Sequence, residues 1–384
     1  MLPESKILIT KFPFRSGLSG VEKHTFQIVE NLQGKGLQIF LLSSCPVMLG
    51  EFKKRGWTNQ RWWLGFPPVN LSTKWLFFFI WPLLLISSVI GLIYCKYKFK
   101  VDKLYCLNLT EKLVMTPVAK LFGYKVIWLE HLSIEPVISK NIFRFLYKWW
   151  SRFAKIVAIS EFVKIELEKI GIKNIKVIYH GIDPAKYKKQ ENLFEVMAEK
   201  RSEDYDKKNF TIGCVAKLEK VKGLEYLIKA VDLLKPEIPN IDCIIVGEGS
   251  QKQNLHWLIE TLNLQNKVKL VGYKDNFLDW VYDFDIFVLP SLKESLGIIL
   301  LETMACKIPI VSTDVGGVSE IINNENQGAL VESKSPRAIA DAVLRLYNLG
   351  EDAINPWPQV ANPIEDKFLL EIMLEEYKRI LIST

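Results

Sequence analysis

Lys293-Glu294-Ser295-Leu296-Gly297-Ile298-Ile299-Leu300-Leu301-Glu302 is the stretch whose reading decides the fold. It follows an apolar run, Asp285 to Leu289, closed by Pro290 and Ser291, the pattern of a buried strand ending in a turn. From Leu296 to Ala305 strong helix formers continue unbroken. Glu294 therefore falls in the loop at the strand's carboxyl end, and Glu302 inside the helix. A carboxylate among Ile298, Ile299, Leu300, Leu301 and Met304 is costly if it is buried without partners. A pair of sugar hydroxyls supplies such partners. The alternative is a Glu302 that points to solvent from an amphipathic helix, and the residues alone leave both open.

Outward from this stretch, strands and helices alternate in both directions, which predicts α/β domains with parallel, doubly wound sheets. Towards the C-terminal half, strands are expected at Phe210–Ala216, Asp242–Val246, Val268–Val271, Ile286–Leu289 and Ile308–Ser312. Lys217 and Lys222 flank the turn after the first of these, with Gly223 opening the next helix; two cations and a helix N-terminus suit a diphosphate. Gly247-Glu248-Gly249 and Gly316-Gly317 are further glycine turns at strand ends. In the N-terminal half, Lys6–Thr10 leads through a loop containing Gly17 and Gly20 into a helix, again an arrangement that points N–H groups at an anion. Strands follow at Leu37–Ser43, Lys103–Leu107, Val126–Trp128, Ile156–Ile159 and Lys176–Ile178. His131 sits at one carboxyl edge, where open α/β sheets place ligands, although a satisfied surface histidine fits the same position. Asp283-Phe284-Asp285 spells a metal-binding Asp-x-Asp, but it runs into the buried strand and reads as structural, so no metal site is expected.

A chain of 384 residues suits two domains. We expect an N-terminal domain over 1–186, a second over 187–362, and a C-terminal helix over 363–384 that packs back on the first domain. Charge is divided: 29 Lys and Arg stand against 12 Asp and Glu up to residue 189, and 21 against 31 thereafter. The basic half points to an anionic partner such as a phospholipid surface. Nucleic acid is not expected, since zinc-finger spacing and a recognition-helix signature are missing. The six cysteines form no Cys-x-x-Cys pair and most lie in apolar strands or helices, which fits a reducing compartment.

Residues 75–95 are 21 positions without a charge, followed by Lys96, Lys98 and Lys100. Length alone allows a membrane span. Against it, the segment lies between two expected strands of one sheet, Pro82 should break or kink the helix, and Trp57, Trp62, Trp63 and Trp75 give the aromatic density of a membrane interface. We therefore expect a surface helix or helical hairpin docked in the headgroup region, with a buried crossover helix and a true span as the other readings. Phe143 to Ala154, with Lys155 after it, interleaves Arg144, Lys148 and Arg152 with Phe145, Tyr147, Trp149 and Trp150; a nucleic-acid stacking surface fits these residues, and so does a second membrane-facing patch, which agrees with the first.

Taken in order, Ser19-Gly20-Val21-Glu22, His131, Ala158-Ile159-Ser160-Glu161, His180-Gly181-Ile182-Asp183, Ala216-Lys217-Leu218 with Lys222-Gly223, Val246-Gly247-Glu248-Gly249, Leu289-Pro290-Ser291, the Glu294/Glu302 pair and Gly316-Gly317 resemble the retaining glycosyltransferases of family 4. The resemblance covers nearly the whole chain. It implies the GT-B fold, two Rossmann-like doubly wound domains facing across a cleft, and sugar transfer from a nucleotide-diphosphate co-substrate without a further cofactor. By the same resemblance, Lys217 and Lys222 would neutralise the departing diphosphate, Glu302 hold the ribose, and Glu294 read donor-sugar hydroxyls. Ser295, Leu296, Gly297 and Ile298 would offer backbone groups to the phosphates, as would Gly20 and Gly247, and His131 would lie near the transferred sugar. The family usually has Arg at position 217, Gly at 19 and Asn at 180; this chain has Lys217, Ser19 and His180.

The expected function is a retaining, metal-independent transferase attached peripherally to the inner face of the plasma membrane, acting on a lipid-linked or cell-envelope glycan acceptor. A nucleotide-sugar epimerase of the same fold and a catalytically silent membrane scaffold are the rivals. Base, sugar, acceptor, oligomeric state and protein partners are not legible.

Overall fold

The computed structural model describes residues 5–11, 20–63, 71–131, 142–187, 209–351 and 364–382. It divides into two compact units, one comprising Met1–Gly181 with Leu370–Thr384 and the other Ile182–Leu369. The expected divisions lay after residues 186 and 362.

In the first unit the strands are β1 (Ser5–Lys11), β2 (Leu37–Ser43), β3 (Asn59–Arg61), β4 (Lys103–Cys106), β5 (Lys125–Glu130), β6 (Ala154–Ala158) and β7 (Ile175–Val177). They form one parallel sheet in the order β3-β2-β1-β4-β5-β6-β7. Its central strands are buried on both faces, so Ile7-Leu8-Ile9 and Leu104-Tyr105-Cys106 are continuous apolar runs with no polar alternation. The helices are α1 (Gly20–Leu32), α2 (Pro46–Lys54), α3 (Leu71–Phe99), α4 (Leu109–Leu121), α5 (Ile142–Ser151) and α6 (Glu161–Lys169).

The second unit holds β8 (Phe210–Val215), β9 (Ile241–Val246), β10 (Val268–Leu270), β11 (Ile286–Leu289), β12 (Ile310–Thr313) and β13 (Ala329–Val331), parallel in the order β10-β9-β8-β11-β12-β13. Its helices are α7 (Leu224–Leu234), α8 (Lys252–Thr261), α9 (Leu278–Val281), α10 (Ile298–Ala305) and α11 (Pro336–Glu351). Asp285 is structural as read: its carboxylate accepts from the Thr211 N–H at 2.8 Å and ties β11 to β8. Phe284 lies flat on Gly213, where any Cβ would enter the ring.

Strand order reverses between β1 and β4 in one sheet and between β8 and β11 in the other. Such switch points leave a crevice at the carboxyl ends of the strands. Lys217, Pro290 and the loop to Glu294 stand at the switch point of the second sheet.

Pro82 does not divide its segment. α3 is one helix of 29 residues with Pro82 inside, so the hairpin expectation is corrected. Proline removes one backbone hydrogen bond, and here the packing of Leu84, Ser88, Leu92 and Cys95 holds the helix on the sheet. Gly91 lies against the Trp62 indole, whose N–H donates to the Ser87 carbonyl and hydroxyl. Trp62 and the half-buried Trp57, which meets Phe52 edge-on, are thus packing residues and not interface anchors.

The last helix, α12 (Leu370–Ile382), belongs to the first unit. Lys103 of β4, buried, donates from Nζ to the Leu381 carbonyl at 2.5 Å and the Ser5 hydroxyl at 2.7 Å. A cation there meets the negative end of the helix, although burial lowers its pKa. Lys103→Met keeps the aliphatic stem but strands these acceptors. It is expected to lower unfolding free energy by about 1.5–3 kcal/mol in urea melts; an unchanged midpoint would remove Lys103 as the staple.

Candidate active site

The second unit gathers four loops at the carboxyl ends of its strands. Lys222 and Glu294 form an ion pair with side chains 24% and 11% exposed, and Glu294 also accepts from the Ser291 hydroxyl at 2.8 Å. Their loops interlock through glycines. At Gly223 (φ +60°) a Cβ would strike the Pro290 carbonyl, and at Gly316 (φ +63°) it would strike the Glu294 backbone. The Leu292 N–H donates to Val221 at 2.8 Å and the Gly317 N–H to Glu294 at 3.2 Å. Lys217 is exposed on the same turn, next to the Glu219 carboxylate, which hydrogen bonds from Ser250 hold below the usual carboxylate range.

Ser295 to Gly297 lead into α10, which begins at Ile298 with its first N–H groups unpaired within the helix. Gly247 has a different part: its N–H is committed to the Gly272 carbonyl at 2.9 Å, so it packs the loop against Ala216. Glu302 is half-buried on α10 and accepts from the Tyr187 hydroxyl at 3.2 Å. The Tyr187 carbonyl in turn accepts from Tyr282 at 2.8 Å. Sequence reasoning missed Tyr187. It ends a short 3-10 turn, Pro184–Tyr187, and nothing local ties it to a carboxylate 115 positions on.

In the first unit, Gly20 opens α1, while positions 12–19 of the glycine loop, Ser19 included, lie outside the described residues. His131 follows β5 and is 8% exposed, and its Nε2 has no hydrogen-bond partner among the described residues. Beside it stand two buried ion pairs, Lys11 with Glu22 and Lys112 with Glu130 (2.7 Å). Lys112 also donates to the Leu129 carbonyl at 2.6 Å, and Tyr147 donates to Glu130. The His24 ring meets His131 edge-on with centroids 5.1 Å apart. His24 shares a 2.7 Å hydrogen bond with His180, Nδ1 to Nδ1, and a 2.9 Å one with the Tyr377 hydroxyl through Nε2. Burial lowers the pKa of all three histidines, His180 to about 3, with neighbouring histidine and lysine charges adding to the effect.

The family profile described as Glycosyltransferase Family 4 matches residues 18–186, and that described as Glycosyl transferases group 1 matches 195–355. The chain belongs to glycosyltransferase family 4. An uncharacterized glycosyltransferase of Methanocaldococcus jannaschii is 32% identical over 225 residues, 56% of this chain and 57% of the relative. A lipopolysaccharide core biosynthesis mannosyltransferase of Rhizobium meliloti is 28% identical over 173 residues, 43% and 48% of the two chains. The matches thus span about half the length of these curated relatives. A solved Anabaena protein in complex with UDP superposes with a TM-score of 0.80 at 17% identity, covering 99% of this chain and all of that one. The two parallel-sheet units are the GT-B architecture. Lys222, Glu294 and His131 stand in loops at carboxyl edges of their sheets, and Glu302 on the helix that follows one of them.

The buried neutral histidines make stability depend on acid. Their folded pKa values lie below the unfolded value near 6.5, so below pH 6.5 the unfolded chain binds more protons and stability falls towards the folded values. Between pH 7.5 and 5.5 His180 alone is expected to cost about 1.4 kcal/mol, with His24 and His131 acting in the same direction. Urea melts at the two pH values measure this; equal or greater stability at pH 5.5 would refute it.

Proposed function

We propose that this chain moves a sugar from a nucleotide-diphosphate donor to a lipid-linked or cell-envelope glycan acceptor, with retention of anomeric configuration and without a metal, on the cytoplasmic face of the membrane. The observation that carries this reading is the Lys222–Glu294 pair at the switch point of the second sheet. Each partner is what a nucleotide sugar requires. The ammonium can turn to the diphosphate, and the carboxylate it releases can accept from sugar hydroxyls. The carboxylate of Glu302, already fixed by a hydroxyl donor, suits the ribose diol. As the glycosidic bond breaks, charge gathers on the departing phosphate oxygen, and Lys222, Lys217 and the leading N–H groups of α10 stabilise it. The acceptor hydroxyl then attacks from the leaving group's own face, with a phosphate oxygen taking its proton. The Rhizobium relative and the UDP-bound Anabaena structure support the reading by analogy.

Membrane attachment rests on α3. By length and composition Phe79–Phe99 is apolar enough to cross a bilayer. Its buried side is Leu84, Ser88, Gly91, Leu92 and Cys95, while Phe79 is 77% exposed and Leu76, Leu83, Ile86 and Ile90 are about half exposed. The exposed positions are spaced 3, 4, 3 and 4, one continuous helical stripe. α5 adjoins through a Trp81–Phe143 contact and adds exposed Phe145 and Trp149. A stripe of this kind, next to basic side chains, suits the headgroup region of an anionic leaflet.

Two measurements test these readings. In a melting screen against UDP, GDP, ADP and CMP sugars, one nucleotide is expected to stabilise the protein, by about 2.7 kcal/mol at a hundred times Kd. With that donor, Lys222→Ala should lower transfer by about a hundredfold or more. No response to any nucleotide would overturn the reading, and donor conversion to an epimer without acceptor would favour the epimerase. In flotation at low salt, the protein should rise with phosphatidylserine vesicles and Phe79→Glu/Ile86→Glu should stay behind; a wild-type protein that stays in solution would sink the docking proposal.

A further inference from the structure

His24 is fully buried in α1, and both its ring nitrogens are engaged, one by His180 and the other by Tyr377. A neutral imidazole has one donor and one acceptor, so His24 has no polar group left for His131. What it gives His131 is a surface, ring against ring at 82°. His131 is therefore held by packing while its buried Nε2 stays unpaired among the described residues. An unmade buried hydrogen bond is costly, and the cost is removed when a ligand atom arrives. The backbone leading into His131 is fixed from the other side, because Glu130 is gripped by Lys112 and Tyr147.

We propose that His24, clamped between His180 and Tyr377, is a positioning residue that sets the His131 ring for sugar transfer. The clamp spans the sequence. His24 lies on the first helix, His180 follows β7, and Tyr377 lies on α12, so the C-terminal helix helps to orient a side chain at the edge of β5. Tyr377 is fully buried, and α12 is anchored independently by Lys103, by the Lys176–Glu376 ion pair and by the Gly181 N–H against the Met373 sulfur. Removal of the Tyr377 hydroxyl alone thus leaves the helix attached. The inference rests on the reading of His131 as an active-site residue.

With four histidines in the chain, three of them in this cluster, ring 15N spectra of histidine-labelled protein report on the clamp without any substrate. Tyr377→Phe is expected to shift the His131 ring resonances more than those of exposed His256, and to lower kcat about tenfold with the donor found in the melting screen, leaving nucleoside diphosphate affinity unchanged. His180→Asn, which again offers His24 a hydrogen-bonding group, should retain several times the kcat of His180→Leu. If Tyr377→Phe lowers stability but moves neither the His131 resonances nor kcat, the cluster is structural and the proposal fails. Should Tyr377→Phe not fold, equal kcat in the two His180 variants overturns the proposal. Full transfer by His131→Ala would instead overturn the reading of the site, whatever the clamp does.

Discussion

An ammonium and a carboxylate held together at the mouth of the second sheet are the interaction on which the site depends. Lys222 and Glu294 are partly buried, so both have lost water, and each compensates the other. A pair of this kind adds little net stability, and its retention needs another explanation. Under the proposed function each charge keeps the other available, for a ligand that would bring its own anion for the lysine and its own hydroxyls for the glutamate. Such an exchange would cost little, because no charge would be left without a partner. Gly223 lets the Lys222 loop lie against the Pro290 carbonyl, and Gly316 lets a third loop lie against the Glu294 backbone.

The first unit solves the opposite problem. Its polar groups are deeper, and the charged ones pair within the unit. Lys11 with Glu22 and Lys112 with Glu130 cancel their charges within the core, and His24 and His180 remain neutral because burial and nearby cations oppose protonation. A matched network is rigid, since any rotation breaks several bonds at once. Among the described residues His131 Nε2 shares its unpaired state with Ser88 Oγ, Thr110 Oγ1 and Trp150 Nε1, and is distinguished by the His24 ring packed against its own.

Much of this architecture was legible in the sequence because it follows local rules. Parallel sheets buried on both faces leave unbroken apolar runs, and strand-glycine-helix turns fix where the carboxyl edges lie. The Asp283-Phe284-Asp285 triplet was read as structural because it runs into a buried strand, and Asp285 does tie β11 to β8. The short edge strands β3 and β13 escaped, since Asn59-Gln60-Arg61 and Ala329-Leu330-Val331 are too brief to show a period. The long-range partners escaped for a different reason. Nothing near His24 announces a tyrosine 353 positions later, and Tyr187 acquires meaning only when its turn is folded beside Glu302. Trp62 was misread because aromatic density is the same signal whether the rings face lipid or pack against a helix.

The same sheet that buries one side of α3 limits what its other side can do. β3 precedes the helix and β4 follows it, and both belong to the seven-stranded sheet, through β2 and β1 respectively. A helix crossing a bilayer would leave β3 and β4 on opposite sides of it, and the sheet could not then contain both. A helix of 29 residues, about 44 Å long, therefore has to meet any membrane along its flank. Its exposed apolar stripe runs lengthwise, from Leu76 to Ile90, and its packed residues keep the opposite side against the sheet. Topology thus turns a segment whose composition suits a span into one shaped to lie on a surface.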